Sequence, residues 1–165
     1  MHLWQADRGI IGYDEFAERW DRVVRSTAVL IIENNRSCAP IGFVQLYDIN
    51  LYDGWAHFTV YVEEPFRKRG HGAEAVMGFL DYAFSHFNLR KIYAEVNGFN
   101  EAARALVLRN GFVEEGRLRD HVYWDGRFWD FYNLALYRDG WHELKSRTKL
   151  TLVVQKDLQE SLGID

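Results

Sequence analysis

Six positions in one short stretch, Arg67, Lys68, Arg69, Gly70, His71 and Gly72, put two glycines and a row of cations between a strand and a helix. That combination suits an anion. Glycines let the backbone approach a ligand, and N–H groups at a helix N-terminus face negative charge with the dipole in their favour. The run W-A-H-F-T-V-Y-V before it alternates as a half-buried strand does, over 55–62. It places His57 on the same face as Trp55, Thr59 and Tyr61. An imidazole has an ordinary pKa near 6.5, so His57 is a candidate proton acceptor at neutral pH. The other reading of His57 is a hydrogen-bonded core histidine. His121, Asp120 and Asp130 are further candidates on a downstream hairpin, and Glu95 is one on the neighbouring strand.

The elements that must hold these residues follow from periodicity and turn chemistry. Apolar spacing predicts a helix over 14–24 and another over 73–87, where Val76, Leu80, Ala83, Phe84 and Phe87 recur. Strands are expected over 27–33, 41–47, 55–62 and 91–96. Asp53-Gly54 predicts a two-residue hairpin turn, and Asp125-Gly126 a second one between strands 113–124 and 127–137. A helix over 100–110 should end on Gly111. The order implies an α/β (α+β) chain with a mixed, mostly antiparallel sheet and helices on both faces. The expected division is one domain over 1–141 and an extension over 142–165, with a strand over 148–155.

Composition narrows the classes. The chain has 165 residues, 48% of them hydrophobic and 16% aromatic, and a net charge of −4. An acidic balance with one short basic cluster argues against nucleic-acid binding. Cys38 is the one cysteine, which excludes a disulfide framework and a cysteine-based metal site and reads as a reduced core thiol. No metal is expected. No apolar run reaches membrane-spanning length, and no secretory leader pattern opens the chain, so a cytoplasmic location is expected.

The strand, the R-x-x-G-x-G turn and its helix, and then N-G-F-N-E-A-A-R-A-L-V-L-R-N-G-F, resemble the GNAT superfamily of acyl-CoA-dependent N-acetyltransferases. The stretch E-G-R-L-R-D-H-V-Y-W-D-G-R-F-W-D resembles the branch that acetylates ribosomal-protein N-termini, the RimJ/RimL type. The resemblance covers about 41–141. It implies acetyl-CoA as cosubstrate, with backbone groups of Tyr61 and Val62 along the pantetheine arm. It places the pyrophosphate on Arg67, Lys68, Arg69, Gly70, His71, Gly72 and Ala73. It also places CoA contacts at Asn97, Asn100 and Arg109. Helix capping is the competing role for Asn100, and a solvated surface charge is the competing role for Arg109. Relatives often carry Glu where His57 stands. The resemblance makes a structural salt bridge the leading role for Asp130.

Two departures stand out. The tyrosine that many members use to protonate the thiolate is Val107 here, and a serine of the ribosomal-type relatives is Ala103. Tyr61, Tyr93 or water is left for that task. The strand and helix that usually open the family are also missing before Trp4, and the strand over 148–155 is expected to cover the vacated sheet edge, in one subunit or in a homodimer. Carboxylates mixed with aromatics on the 113–137 hairpin suit a cationic acceptor. The leading expectation is acetyl transfer to a small-molecule primary amine: an amino sugar, a polyamine or an aminated metabolite. A protein N-terminal amine and a catalytically silent acyl-CoA-binding module are the alternatives.

Overall fold

A computed structural model describes residues 28–148 except position 36, together with positions 14 and 18. The helix expected over 14–24 lies outside the described residues apart from Asp14 and Glu18, which are helical. The strand expected over 148–155 lies outside them too, apart from Thr148, which ends a helix.

Six strands form one sheet: β1 (Ala28–Glu33), β2 (Pro40–Asn50), β3 (Trp55–Val62), β4 (Lys91–Asn97), β5 (Val113–Trp124) and β6 (Arg127–Tyr137). Their spatial order is β1-β2-β3-β4-β6-β5. β3 and β4 run parallel, and every other neighbouring pair is antiparallel. A parallel pair needs a long crossover, which α1 (His71–His86) supplies. α2 (Glu101–Arg109) joins β4 to β5, and α3 (Arg138–Thr148) follows β6.

The alternation of the strands sorts their side chains. Ala56, Phe58, Ile92, Ala94, Val96, Leu134 and Leu136 face a core shared with Val76, Phe79, Leu80, Ala83 and Phe84 of α1 and Val107 of α2. Each fully buried Leu- or Phe-sized chain contributes about 1.5–3 kcal/mol. The opposite face carries Tyr47, Trp55, His57, Lys91, Tyr93 and Glu95. The register sets Tyr47 beside His57 and His57 beside Tyr93.

Two local outcomes differ from expectation. The β2–β3 connection is a four-residue turn rather than a two-residue one, because Asn50 pairs with Trp55. The Asn50 side chain closes it, accepting the Asp53 N–H at 2.9 Å and donating to the Asp53 carboxylate at 2.9 Å. The Asp125-Gly126 turn does follow expectation, with positive φ at both residues (49° and 78°). α3 is the second difference, since no helix was expected there. It runs unbroken through Trp141, which is 1% exposed and stacks on Phe84 at 6.5 Å. Its first residue also closes α1. The Arg138 guanidinium donates to the carbonyls of Phe84, Phe87 and Leu89 at 2.6, 2.9 and 2.7 Å. Those are carbonyls at or just past a helix C-terminus, where a cation is favoured.

Candidate active site

The β3–β4 ladder stops early. Pairing runs from Trp55–Lys91 to Phe58–Ala94, yet β3 continues to Val62 and β4 to Asn97. Beyond Phe58 and Ala94 the two strands therefore part. A gap of this kind admits an extended ligand that pairs with backbone, and Tyr61 and Val62 lie along it on β3.

The basic glycine turn stands at the far end of β3. Pro65 opens a 3₁₀ turn over Glu64–Phe66. Arg67 then turns back, donating its Nε–H to the Val62 carbonyl at 2.7 Å, with its guanidinium 5.7 Å from the centre of the Tyr61 ring. Its role is therefore partly to brace the strand end. Lys68 takes φ 60°, and Gly70 takes φ 93° as the residue before α1. Only glycine enters that region freely. A Cβ built on Gly70 would meet nothing within 4 Å, so the turn is open on that side. No side chain caps α1. Its opening N–H groups remain available to an anion, flanked by the charges of Lys68 and Arg69. The His71 ring centre lies 6.3 Å from that of Phe66, and a Cβ added to Gly72 would meet the Val62 side chain at 3.5 Å. The amide of Ala73 is used within the turn, donating to the Gly70 carbonyl at 2.9 Å.

The other CoA candidates divide. Asn100 caps α2: its Oδ1 accepts the Ala103 N–H at 3.2 Å, the capping role weighed against ligand contact. Asn97 ends β4 opposite Phe131. Arg109 is exposed at the end of α2 and makes no ion pair among the described residues.

His57 occupies the centre of the opposite face. Its ring is stacked between Tyr47 (5.4 Å, 24°) and Tyr93 (5.3 Å, 26°), with Trp55 edge-on at 5.5 Å. Its Nε2 lies 3.5 Å from Oε1 of Glu95. Its Nδ1 is enclosed and has no hydrogen-bond partner. Proton traffic must then pass through Nε2, the ring atom that faces the carboxylate. An imidazolium formed there would be stabilised by Glu95, whose side chain is 39% exposed. The site thus joins His57 to Glu95, the neighbouring-strand candidate. The Tyr47 hydroxyl is pushed well above the ordinary phenol range, first by burial and then by the charges of Glu95 and Asp48. It stays protonated near neutrality.

The remaining candidates lie elsewhere. Asp130 accepts the Arg117 Nε–H at 2.7 Å and the Asp120 N–H at 3.0 Å. The Asp120 backbone N–H and then Arg117 hold its carboxyl below the usual range. It pins a hairpin distortion in which Asp120 takes φ 48°, the structural role the resemblance favoured. His121 is exposed in the same distortion, 5.6 Å from Phe131. No contact among the described residues links it to His57. Cys38, expected in the core, is exposed at φ 52° in the β1–β2 turn.

Two groups escaped the sequence reading. Tyr47 is one, and only the β2–β3 register reveals it. The other is an ion pair between Lys91 and Glu115. Lys91 Nζ donates to both Glu115 oxygens at 3.1 and 2.8 Å and lies 4.4 Å from the Tyr93 ring centre. Burial alone would lower the Lys91 ammonium, but hydrogen bonds and charge from Glu115 and Tyr93 raise it overall. Glu115 also accepts the Tyr137 hydroxyl. The pair buttresses the Tyr93 ring that supports His57.

Comparison with known proteins agrees with this geometry. Residues 4–113 match the acetyltransferase (GNAT) domain family. The spermidine N(1)-acetyltransferase of Vibrio cholerae is 31% identical over 120 residues, 72% of this chain and 69% of that protein. Other curated relatives are matched over 36% to 55% of their length. The solved Vibrio cholerae spermidine N-acetyltransferase in complex with CoA and spermine superposes with a TM-score of 0.74 at 26% identity, over 82% of this chain and 81% of that one. A dodecameric form of the Vibrio cholerae enzyme superposes with a TM-score of 0.69 at 28% identity, over 78% and 75% of the two chains. With its parted central strands, open glycine turn and matched family segment, the chain belongs to the GNAT family of acetyltransferases, enzymes that move an acetyl group from acetyl-CoA to an amine.

Proposed function

We propose that this protein acetylates a primary amine of a polyamine, with His57 as the proton acceptor. The observation that carries the reading is the His57–Glu95 contact of 3.5 Å inside a ring of aromatic side chains, beside the point where β3 and β4 part. The relatives with spermidine as substrate support the acceptor class. So does the chemistry of the face, since a carboxylate among aromatic rings favours an alkylammonium. The alternative acceptor, a protein N-terminal amine, becomes the contrast to be tested.

The proposed chemistry is direct transfer. The amine must be neutral to attack, yet a lysine-like amine has a pKa near 10.4. His57 Nε2 takes the proton, and Glu95 stabilises the imidazolium. The amine nitrogen adds to the thioester carbonyl, forming the N–C bond and moving the C=O π electrons onto oxygen, and the C–S bond breaks when the tetrahedral intermediate collapses. Backbone N–H groups in the gap between β3 and β4 are suited to the oxyanion of the tetrahedral intermediate. The thiolate leaves and takes a proton. Val107 is buried in the core, 4% exposed, so α2 offers no donor at that position. Tyr93, Tyr61 or water is left for that proton. Glycine-turn amides and the charges of Lys68 and Arg69 hold the pyrophosphate, which fixes the thioester and removes much of the entropic barrier.

The test is thiol release from acetyl-CoA with spermidine, with a peptide bearing a free N-terminal alanine, and with no acceptor. Saturable release with spermidine is expected. His57→Gln should slow turnover roughly 10²- to 10⁴-fold while acetyl-CoA affinity stays within about twofold. Preference for the peptide would move the protein to the ribosomal-type branch. Acetyl-CoA binding without release to any amine would make it a silent binding module.

A further inference from the structure

Lys91 puts a positive charge on the face where an imidazolium must form. It stands two residues before Tyr93 on β4, with Trp55 of β3 as its register partner. Its ammonium lies 4.4 Å from the centre of the Tyr93 ring, and that centre lies 5.3 Å from the centre of the His57 ring. The cation is therefore within about 10 Å of the imidazole. Lys91 is buried, so salt screens it weakly. Left alone, such a charge would oppose proton uptake by His57 and make it a poorer base. Glu115 of β5 stands against this. Both of its oxygens accept from Lys91 Nζ, at 3.1 and 2.8 Å, and it also accepts the Tyr137 hydroxyl. A buried ion pair is weak evidence for stability, because apolar residues of similar volume often serve as well. The place of this pair, one aromatic ring away from His57, gives it a second use.

We propose that Lys91 and Glu115 are a charge-balanced positioning pair for His57: the ammonium anchors the Tyr93 ring, and Glu115 cancels its charge so that the imidazole can accept the amine proton. Neither residue touches the reacting atoms. Lys91 is held between the rings of Tyr93 and Tyr137, 4.4 and 5.5 Å from their centres, an arrangement that favours a cation. Among the described residues, the titratable and charged groups around His57 are Tyr47 and Asp48 on β2, Lys91, Tyr93 and Glu95 on β4, Glu115 on β5 and Tyr137 on β6. Glu95 supplies the negative charge that stabilises the imidazolium directly. The Lys91–Glu115 pair keeps a nearby positive charge from offsetting it. This assignment deepens the proton-acceptor reading of His57 and rests on it.

Two readouts test the pair. One is NMR titration of the His57 ring in protein carrying labelled histidine, its signal assigned by its loss in His57→Gln. The other is the pH dependence of kcat/KM for spermidine. Glu115→Gln leaves the ammonium uncompensated and should move the ring titration and the acidic limb of the rate profile to lower pH, by about half a unit or more. Lys91→Met leaves the carboxylate behind and should move both to higher pH. The double variant Lys91→Met/Glu115→Gln should bring both back to within about 0.2 unit of wild type. The acetyl-CoA KM should stay within about twofold throughout. A pair that only packs would produce no shifts of opposite sign. Shifts of the same sign in the two single variants, or none in either, overturn the proposal. If one single variant fails to fold, the other and the double variant still decide the sign. If the ring titration moves as expected while His57→Gln turns over like wild type, the charge balance stands and the proton-acceptor reading falls.

Discussion

A proton acceptor facing an alkylammonium must stay neutral until the substrate arrives, and it must be held still. His57 meets the second condition through Tyr47 and Tyr93 on either side. The enclosed, unpartnered Nδ1 directs its chemistry to the other nitrogen. Gly70 is the corresponding single residue at the cofactor end. Its φ of 93° and open flank serve close approach of a diphosphate. Gly70→Val should weaken acetyl-CoA binding at least about tenfold by calorimetry, since a β-branched residue is strained at positive φ and its side chain enters the ligand's space. Affinity equal to wild type would remove the turn from cofactor binding.

At the scale of elements, the irregularities of β5 carry meaning. Its register shifts between Glu114 and Gly116, and the extra residue is Glu115, whose side chain reaches Lys91 and Tyr137 on the His57 face. Bulges near sites commonly re-aim a side chain in this way. The Glu115 carboxyl feels burial, which would raise it, but hydrogen bonds from Lys91, Tyr137 and Tyr93 and the Lys91 charge bring it down overall. A carboxylate lowered in the folded state contributes stability above its ordinary range near 4.3 and loses it as pH falls through the folded value. Glu115→Gln should therefore destabilise by about 1–3 kcal/mol at neutral pH, leaving the 8%-exposed Lys91 without its anion. In urea unfolding the difference should shrink below about pH 4. A difference that is the same at both pH values would contradict this pairing.

That bulge also shows where sequence reading stops. Alternation and Asp-Gly turns are local, so β3, β5 and β6 could be placed from residues 55–62, 113–124 and 127–137. The glycine turn was legible because its residue types have few other uses. Register is a long-range property. Nothing near Tyr47 reveals that it will stack on a histidine ten positions later. Nothing near Asn133 reveals that Glu95 and Gly116 flank it. Asn50 closes the longer β2–β3 turn through two side-chain bonds that a dipeptide rule overlooks. Trp141 draws α3 onto the core, although the sequence from 142 onward reads as an extension.

At the scale of the whole molecule, the sheet works as a partition. One face is packed with α1 and α2 around an apolar core, and the other presents His57, Glu95 and the aromatic rings. The strands part between them, so a thioester held by the glycine turn can meet an amine arriving at His57. A net charge of −4 favours the approach of a polycation at low ionic strength. The most direct measurement is a crystal structure of the complex with CoA and spermidine. The account predicts the sulfur in the gap beyond Phe58 and Ala94, with a primary nitrogen within about 3.2 Å of His57 Nε2. Spermidine bound away from His57, or CoA lying outside the parted strands, would contradict it.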